Sequence, residues 1–390
     1  MSDIFILSAK RSAIGTFGGS LAQTPAREVL TSVMRATIDA SGVDSKSITS
    51  SILGNVIHTA SDDPYLSRLC AIEAGLPHHS TAYGVNRLCG SGLQAIIATI
   101  MALKLGDISA GLASGVEMMS RSPHIAPDMR FGKKMGNATF VDMLLAPLTD
   151  PFGHGHMGIT AENVAKQFDI SREEQDEAAV ISHQRAAYAV EAGYFTEQIV
   201  PIEAKAGRKT VTFAQDEHFR ADASLDDMAK LRAVFQKEGT VTAGNASGIN
   251  DGASALVLAN ENIAKDTTPI ARIVSYGHAG LDPAIMGMGP VGASQQALER
   301  AGLRVNDLDV IESNEAFSAQ ACAVTKRLGL NPAIVNPNGG AIALGHPVGA
   351  TGAIITTKLI HELKRTNGRY GLATMCIGGG QGVALIIEAL

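Results

Sequence analysis

Short segments of this chain recur at a nearly constant spacing, and this repetition limits the possible folds more than any other feature. Residues 111–115 (Gly-Leu-Ala-Ser-Gly) match residues 371–375 (Gly-Leu-Ala-Thr-Met), 260 positions later. The pairs Gly42/Gly302 and Asn55/Asn314 lie 260 and 259 positions apart, and residues 89–92 and 346–349 lie 257 apart. Matches at nearly one offset indicate an internal duplication. On this alignment Cys89 and His346 begin equivalent helices, and a pseudo-two-fold axis would bring both helix starts to one site.

Strand and helix patterns alternate on both sides of a long irregular segment. The first half predicts strands at 4–8, 48–56 and 108–114, and helices at 25–40, 66–74 and 89–104. Such alternation is typical of βαβ units in a mostly parallel sheet with helices on its faces. Between 118 and 248 the pattern breaks, although a capping box at Ser171–Glu174 predicts a helix through Glu191. We expect an N-terminal core half (1–117), an inserted loop domain (118–248) and a C-terminal core half (249–390).

The composition excludes several classes of protein. The formal net charge of −6 provides no cationic excess, so no nucleic-acid partner is expected. The cysteines, which have neither metal-ligand spacing nor the density of a disulfide framework, are Cys70, Cys89, Cys322 and Cys376. Residues 1–9 run directly into a predicted strand without a leader, and no apolar run approaches the ~20 residues of a membrane span. We expect a cytoplasmic protein with no membrane partner.

Two glycine-rich stretches contain a cysteine and draw attention to chemistry. Cys89 lies in a predicted strand or tight turn before an apolar helix, whose unpaired N–H groups and dipole would favour a thiolate. The alternative is a buried structural cysteine. Cys376 precedes Gly378-Gly379-Gly380, which suits backbone amides that face a substrate. A phosphate-binding loop is the competing interpretation, but the Lys-Ser/Thr ending of a P-loop is missing.

A set of motifs resembles the thiolase family nearly from end to end. They are Asn86-x-x-Cys89-x-Ser91-Gly92, Gly115–Ser120, His156–Asn163, Gly244–Gly252, Asn314–Phe317, the stretch around His346, and Cys376–Gly380. Each motif alone is a weak signal, whereas all of them in the family's order are specific. The resemblance implies the thiolase fold, an α/β fold with two duplicated βαβ-rich halves, central mixed sheets with helices between and around them, and an inserted loop domain.

The resemblance also implies catalytic roles. Cys89 is similar to the family nucleophile that takes the acyl group, and His346 to the histidine that activates it. Cys376 resembles the second cysteine, which moves the α-proton, and a thiol that titrates near 8.5 suits that task. One oxyanion hole would use His346 with a water positioned by Asn314, and the other the N–H groups of Cys89 and Gly378. Without the motifs, His346 would be interpreted as a structural histidine and Asn314 as a loop residue.

Further positions match those that hold CoA and the acyl chain in the family. They are Arg220 near the nucleotide, Ser247 near the pantetheine, and the tunnel residues His156, Met157, Leu148, Phe235, Ala243, Ala316, Phe317, Met286 and Met288. Without the resemblance Arg220 would be a solvated surface charge. His154-x-His156 lacks a third ligand nearby, so no metal site is expected. CoA and acetyl-CoA are expected as substrates, with no permanently bound cofactor.

The implied activity is reversible acyl transfer between CoA thioesters through an acyl-cysteine. We expect condensation of acetyl-CoA with an acyl-CoA and thiolysis of 3-ketoacyl-CoA, with acetoacetyl-CoA as substrate. A broader-chain 3-ketoacyl-CoA thiolase of fatty-acid degradation is the near alternative, since 151–156 and Met288 resemble thiolases for longer chains. A non-catalytic acyl-CoA or lipid carrier is the alternative from another class. We expect a homo-oligomer, either a dimer or a dimer of dimers.

Overall fold

The strands of the chain were located in a computed structural model that describes residues 3–390. Met1 and Ser2, the start of the predicted leaderless segment, lie outside the described residues. The strands are β1 (Ile4–Ser12), β2 (Gly15–Thr16), β3 (Ser50–Gly54), β4 (Thr81–Val85), β5 (Ala110–Met118), β6 (His124–Ile125), β7 (Val141–Asp142), β8 (Thr149–Asp150), β9 (Gly155–His156), β10 (Ile199–Val200), β11 (Ile202–Ala206), β12 (Lys209–Phe213), β13 (Asn250–Asn260), β14 (Ala271–Gly280), β15 (Val310–Ser313), β16 (Tyr370–Ile377) and β17 (Gln381–Ala389).

The helices agree with the periodicity of the first half and extend it to the second. They are α1 (Ala26–Ser41), α2 (Leu66–Glu73), α3 (Ser91–Leu105), α4 (Met157–Gln167), α5 (Arg172–Glu191), α6 (Leu225–Ala229), α7 (Glu261–Ala264), α8 (Gly289–Ala301), α9 (Ser318–Leu328), α10 (Ala341–Leu344) and α11 (Thr351–Thr366). The predicted capping box is confirmed: Ser171 accepts a bond from the N–H of Glu174, whose side chain bonds back to the Ser171 N–H.

The two halves share one large mixed sheet. Its strand order is β15-β16-β17-β14-β1-β13-β5-β3-β4. β13, the first strand of the expected C-terminal half, lies between β1 and β5 of the N-terminal half, so the halves pair there as well as between β1 and β14. The expectation of a mostly parallel sheet is wrong for the centre, where β5, β13, β1, β14 and β17 pair antiparallel. Parallel pairs occur toward the edges, in β3–β4, β3–β5 and β15–β16. Periodicity reveals which residues are buried in a strand but carries no information on strand direction. The predicted α/β class with mixed sheets is confirmed.

The duplication becomes visible where α3 crosses α11. A Cβ added to Gly352 would lie 2.2 Å from the backbone N of Leu93, and one added to Gly92 would lie 2.8 Å from the N of Ala353. Each glycine therefore lets its helix approach the backbone of the other. These glycines lie 260 positions apart, as do the first residues of the two helices, Ser91 and Thr351. The equivalence of Cys89 with His346 is thus wrong by three residues, because the segment before α11 carries His346 five residues upstream of the helix.

Replacing Gly352 with alanine is expected to lower stability markedly. The added methyl would meet the Leu93 backbone, which is part of α3 and has no rotamer to adopt instead. Overpacking of this kind costs about 1–3 kcal/mol, and a backbone neighbour places this case at the upper end. The measurement is the midpoint of thermal unfolding. Gly280→Ala is the matched control, since nothing lies within 4 Å of its added Cβ, and an equal drop in both variants would contradict the crossing argument.

The helix α3 lies in the interior of the fold. Leu88–Leu105 is the one stretch among residues 3–390 with the length and apolar composition of a membrane span. In the fold α3 packs against β5, β3 and α11, and its buried residues include Leu93, Ile96, Ile97 and Ile100. The apolar character of this helix is therefore explained by its place in the core.

Candidate active site

Cys89 lies in a strained turn between β4 and α3. Leu88 has a φ of 47°, and its N–H donates a hydrogen bond to the side-chain oxygen of Asn86 at 3.0 Å. A left-handed conformation at a leucine is unusual and costs free energy, so surrounding contacts must hold it. A Cβ on Gly90 would collide with the side chain of Ile377, the last residue of β16. The turn therefore presses Cys89 against the strand that carries Cys376.

Burial dominates the ionisation of Cys89. It raises the pKa of the thiol, and the N–H groups of Gly378 and of Cys89 itself lower that pKa only in part. The sequence favoured a thiolate from the helix start alone, but α3 begins two residues later, at Ser91. The resting group is therefore a thiol, and it needs a base to become a nucleophile. The two N–H groups that point to the sulfur are those expected to form an oxyanion hole.

His346 is buried in the loop before α11. Gly345 precedes it with a φ of 109°, and the Asn250 side chain accepts the His346 N–H at 3.0 Å. The ring contacts two polar groups. Its Nδ1 lies 2.7 Å from the Thr351 hydroxyl, and its Nε2 lies 3.4 Å from Nδ2 of Asn314. Asn314 is itself held by its N–H to the carbonyl of Thr374 at 3.0 Å. The two expected partners His346 and Asn314 thus meet.

Burial also determines the protonation of the His346 ring. It lowers the pKa of His346 to about 4, because no carboxylate lies beside the ring to offset desolvation. The imidazole is therefore neutral at neutral pH. A neutral imidazole that lines the same cavity as the Cys89 thiol is suited to accept its proton, as the acylation of a cysteine requires.

Acetylation of Cys89 is expected to persist well below the ordinary pKa of histidine. Above about pH 4 the ring is neutral and able to accept the thiol proton, and the rate falls only as the pH approaches that value from above. The measurement is the single-turnover acetylation rate by acetyl-CoA between pH 4.5 and 8. Circular dichroism at each pH serves as the control for folding. A half-maximal rate near pH 6.5 in a folded protein would mean that the ring is not desolvated.

Cys376 lies near the end of β16, next to the hairpin Gly378–Gly380 that leads into β17. It is fully buried and packs with Met157, Ala316 and Phe317. Burial raises its pKa, and the nearby Cys89 raises it further. The expectation of a thiol that titrates near 8.5 is therefore wrong for the resting protein. The Cys376 group is a neutral thiol, a proton donor before it becomes a base.

A cavity of about 460 Å³ joins most of the expected residues. Its lining includes Cys89, His346, Gly378, Ser247, His156, Met157, Leu148, Phe235, Ala243, Ala316, Phe317 and Met286. Four expected residues are not on its wall. Cys376 and Asn314 lie behind the wall, whereas Arg220 is exposed and Met288 faces a separate cleft beside Phe168 and Arg327.

Arg220 nevertheless lies near the cavity. Burial lowers the pKa of His218, a residue that lines the cavity, and the nearby charge of Arg220 lowers it further. His218 was not predicted, although its place two residues before Arg220 was an available signal. Other lining residues outside the motifs are Thr16, Phe17, Pro147, Val234 and Thr242. They come from segments far apart in the chain, which meet only in the folded protein.

One wall of the cavity is aromatic. The rings of His156 and Phe235 stack at 4.8 Å, and Phe235 meets Phe317 edge-on at 6.2 Å. The Nδ1 of His156 accepts the N–H of Gly158 at 3.1 Å, and burial lowers the His156 pKa. This wall is therefore uncharged and suits an apolar chain that carries an amide. Among residues 3–390 no cluster of three His, Cys, Asp or Glu side chains suits a metal ion.

Glu117 stabilises two loops next to the site. Its buried carboxyl accepts the N–H groups of Val56, Ile57 and Gly349 at 2.9–3.0 Å. It thereby ties the loop after β3 in one half to the loop before α11 in the other. Burial raises its pKa to about 8, against the lowering effect of those N–H groups. The sequence had marked Glu117 only as one position of a motif.

The other two cysteines have the surroundings of structural residues. Burial raises the pKa of Cys70 and of Cys322 to about 12. Cys70 lies in the core beside α1, and Cys322 lies in α9. Neither borders the cavity. They therefore provide matched controls for the two cysteines of the site.

Comparison with known proteins covers the whole chain. Two family models match, the thiolase N-terminal domain at residues 4–262 and the thiolase C-terminal domain at 267–389. The beta-ketothiolase BktB of Cupriavidus necator is 56% identical, over 100% of this chain and 99% of its own. Two crystal structures each cover 100% of this chain. The acetyl-CoA acetyltransferase of Bacillus anthracis is 46% identical (TM-score 0.98, 99% of its chain), and the human mitochondrial 3-ketoacyl-CoA thiolase in complex with CoA is 43% identical (TM-score 0.96, 98% of its chain).

Proposed function

The chain belongs to the thiolase family, and on this premise we propose that it transfers acyl groups between CoA thioesters as an acetyl-CoA acetyltransferase. It is an enzyme, an acyltransferase, that condenses acetyl-CoA with an acyl-CoA and cleaves 3-ketoacyl-CoA with CoA. The observation that carries the proposal is the shared cavity of Cys89, His346 and Gly378. A thiol, a neutral imidazole and a backbone N–H at one apolar site are the groups that thioester exchange requires.

The proposed mechanism is ping-pong. Cys89 attacks the thioester carbon, its proton passes to His346, and CoA leaves with that proton as a free thiol. The developing oxyanion accepts hydrogen bonds from the backbone N–H groups of Cys89 and Gly378, which point to the Cys89 sulfur in the resting site. In the second half-reaction Cys376 first loses its proton, and its thiolate removes the α-proton of acetyl-CoA. The enolate carbon bonds to the acyl carbon of acyl-Cys89, the bond from that carbon to the Cys89 sulfur breaks, and the released sulfur takes up a proton again. With its Nε2 protonated during this half-reaction, His346 and a water on Asn314 would stabilise the enolate oxygen.

The proposed CoA site extends from Cys89 along the cavity. Ser247 is held there by its N–H, which donates to the carbonyl of Ala316 at 3.0 Å, and the stacked rings of His156 and Phe235 line the same cavity. The exposed guanidinium of Arg220 lies near His218 of the cavity wall and supplies a positive charge there for a phosphate. A CoA thioester has these features in the same order: an apolar acyl end, an amide-bearing arm and an anionic nucleotide. No further cofactor is proposed.

The chain is further proposed to form a homo-oligomer in the cytoplasm. The segment between β6 and β7 carries large apolar side chains on the surface, with Phe131 97% and Met135 89% exposed. Tyr83 on the edge strand β4 is 48% exposed. Apolar side chains of this size are unfavourable in water and favour association. Light scattering after size exclusion tests this, and a monomer at micromolar concentration would contradict it.

The test of the function compares thiolysis of acetoacetyl-CoA with thiolysis of 3-ketooctanoyl-CoA. We propose a preference for the four-carbon substrate, and measure kcat/KM for both under identical conditions. Equal values would replace this proposal by a broad-chain thiolase. Loss of both activities would favour a carrier that binds without chemistry. For a carrier, acetyl-CoA would also fail to protect Cys89 from iodoacetamide, whereas acetylation of the enzyme blocks that labelling.

A further inference from the structure

We propose that Thr351 is a positioning residue, whose hydroxyl accepts a hydrogen bond from Nδ1–H of His346 and so leaves Nε2 free to accept a proton. The hydroxyl lies 2.7 Å from Nδ1, and both side chains are buried, with 2% and 5% exposure. A histidine's tautomer is set by the bond that its other nitrogen makes. The catalytic consequence rests on the proposed function, whereas the tautomer itself does not.

The hydrogen bonds around the ring run in one direction. The Thr351 hydroxyl has a single proton, and the carbonyl oxygen of Pro347 lies 2.9 Å away to accept it. Its lone pairs then remain for the proton on Nδ1. On the opposite side of the ring, Nδ2 of Asn314 is a donor that faces Nε2 at 3.4 Å. Asn314 therefore donates to Nε2, Nδ1–H donates to the Thr351 hydroxyl, and that hydroxyl donates to the Pro347 carbonyl. Each ring nitrogen thus takes part in one hydrogen bond with a single proton between the two atoms.

The duplicated half contains the same device with an unambiguous donor. Ser91 is the first residue of α3, as Thr351 is of α11, and the two lie 260 positions apart. Ser91 Oγ accepts the backbone N–H of Arg87 at 2.8 Å and donates to the carbonyl of Leu88 at 2.6 Å. Because an amide N–H is only a donor, the direction of this pair is fixed. The hydroxyl at the start of each helix thus receives one donor and passes its proton to the preceding turn.

This tautomer matches what acylation needs. As the Cys89 sulfur forms its bond to the acyl carbon, its proton goes to Nε2, and the bond from that carbon to the CoA sulfur breaks. The proton on Nε2 then goes to the departing CoA thiolate. The proton on Nδ1 stays on that nitrogen and remains hydrogen-bonded to the Thr351 hydroxyl throughout, since an imidazolium donates from both nitrogens. With the other tautomer, Nε2 already carries hydrogen, and the ring has no lone pair at the site.

The direct test is ¹⁵N NMR of the unaltered protein with labelled histidine, in which His346→Asn identifies the resonances of that ring. We expect at pH 7 a protonated Nδ1 and an unprotonated Nε2 for His346. A proton on Nε2 in the resting enzyme would overturn the proposal. This spectrum needs no turnover, so it decides the tautomer even if the acyl transfer itself is not found.

Two variants then test the consequence. In Thr351→Val the hydroxyl is lost at nearly constant volume, and we expect single-turnover acetylation of Cys89 to fall about 10- to 100-fold while the KM for acetyl-CoA stays within about twofold. Thr351→Ser keeps the hydroxyl and is expected to retain the rate within about threefold. Equal losses in both variants would assign the effect to the methyl group and overturn the proposal. If the valine variant does not fold, Thr351→Ala takes its place with the same expectation.

Discussion

Cys89→Ser is expected to abolish acyl transfer while the fold stays intact. A serine hydroxyl fits the turn at residue 89, but its proton is far harder to remove than that of a thiol, and burial already opposes ionisation there. His346, a weak base with a pKa of about 4, is matched to a thiol and not to an alcohol. We expect kcat for thiolysis of acetoacetyl-CoA to fall by at least about 10³-fold.

Three readouts separate loss of chemistry from loss of structure. Intact-mass spectrometry after incubation with acetyl-CoA should show an acetyl adduct on the unaltered chain and none on Cys89→Ser. The thermal unfolding midpoint should change little, because the substitution keeps the size of the side chain. Cys322→Ser is the matched control, since Cys322 is partly buried but lies in α9 away from the cavity. Full activity of Cys89→Ser, or an equal loss in the control, would contradict the role given to Cys89.

The duplication predicted the organisation of the core, although the sequence paired Gly92 with Gly349 and the fold pairs it with Gly352. Gly92 and Gly352 must both lack a Cβ for α3 and α11 to meet, so the two halves keep similar residues at these positions. The register of Cys89 with His346 was three residues off because two short glycine-containing tetrapeptides look alike. The segment before α3 and the segment before α11 differ in both length and chemistry. Sequence similarity was therefore weakest at Cys89 and His346, the residues that the alignment had to place.

The site was predicted more completely than its electrostatics. Motifs indicated many residues of the cavity wall because these lie next to a glycine or a helix start, whereas Leu148 and Phe235 were indicated only by the family resemblance. His218 and Phe17 lie in segments without a motif and reach the cavity only through long-range packing. Burial, which raises the pKa of both cysteines and lowers that of His346, is a property of the whole fold. The sequence specifies the side chains of the site, but the desolvation that shifts their pKa values is determined only by the fold.

The substitution Cys376→Ser is expected to separate the two half-reactions. Acetylation of Cys89 requires only Cys89, His346 and the N–H groups at the sulfur, so its single-turnover rate should stay within a few-fold. Condensation and thiolysis require a group that takes or gives the α-proton, and their kcat should fall about 10²- to 10⁴-fold, the range of general acid–base catalysis. A buried serine hydroxyl in this apolar surrounding is too weak an acid to replace a thiol.

Deuterium exchange tests the proton transfer itself. The unaltered enzyme in D₂O should incorporate deuterium at the α-carbon of acetyl-CoA, and Cys376→Ser should do so far more slowly, while Cys322→Ser behaves like the unaltered enzyme. Equal losses in acetylation and in condensation would contradict a separate role for Cys376. Because burial keeps this thiol protonated at rest, it is ready to give a proton to the departing enolate during cleavage. For condensation the thiol must first lose its proton, so we expect condensation to accelerate as the pH rises through the neutral range.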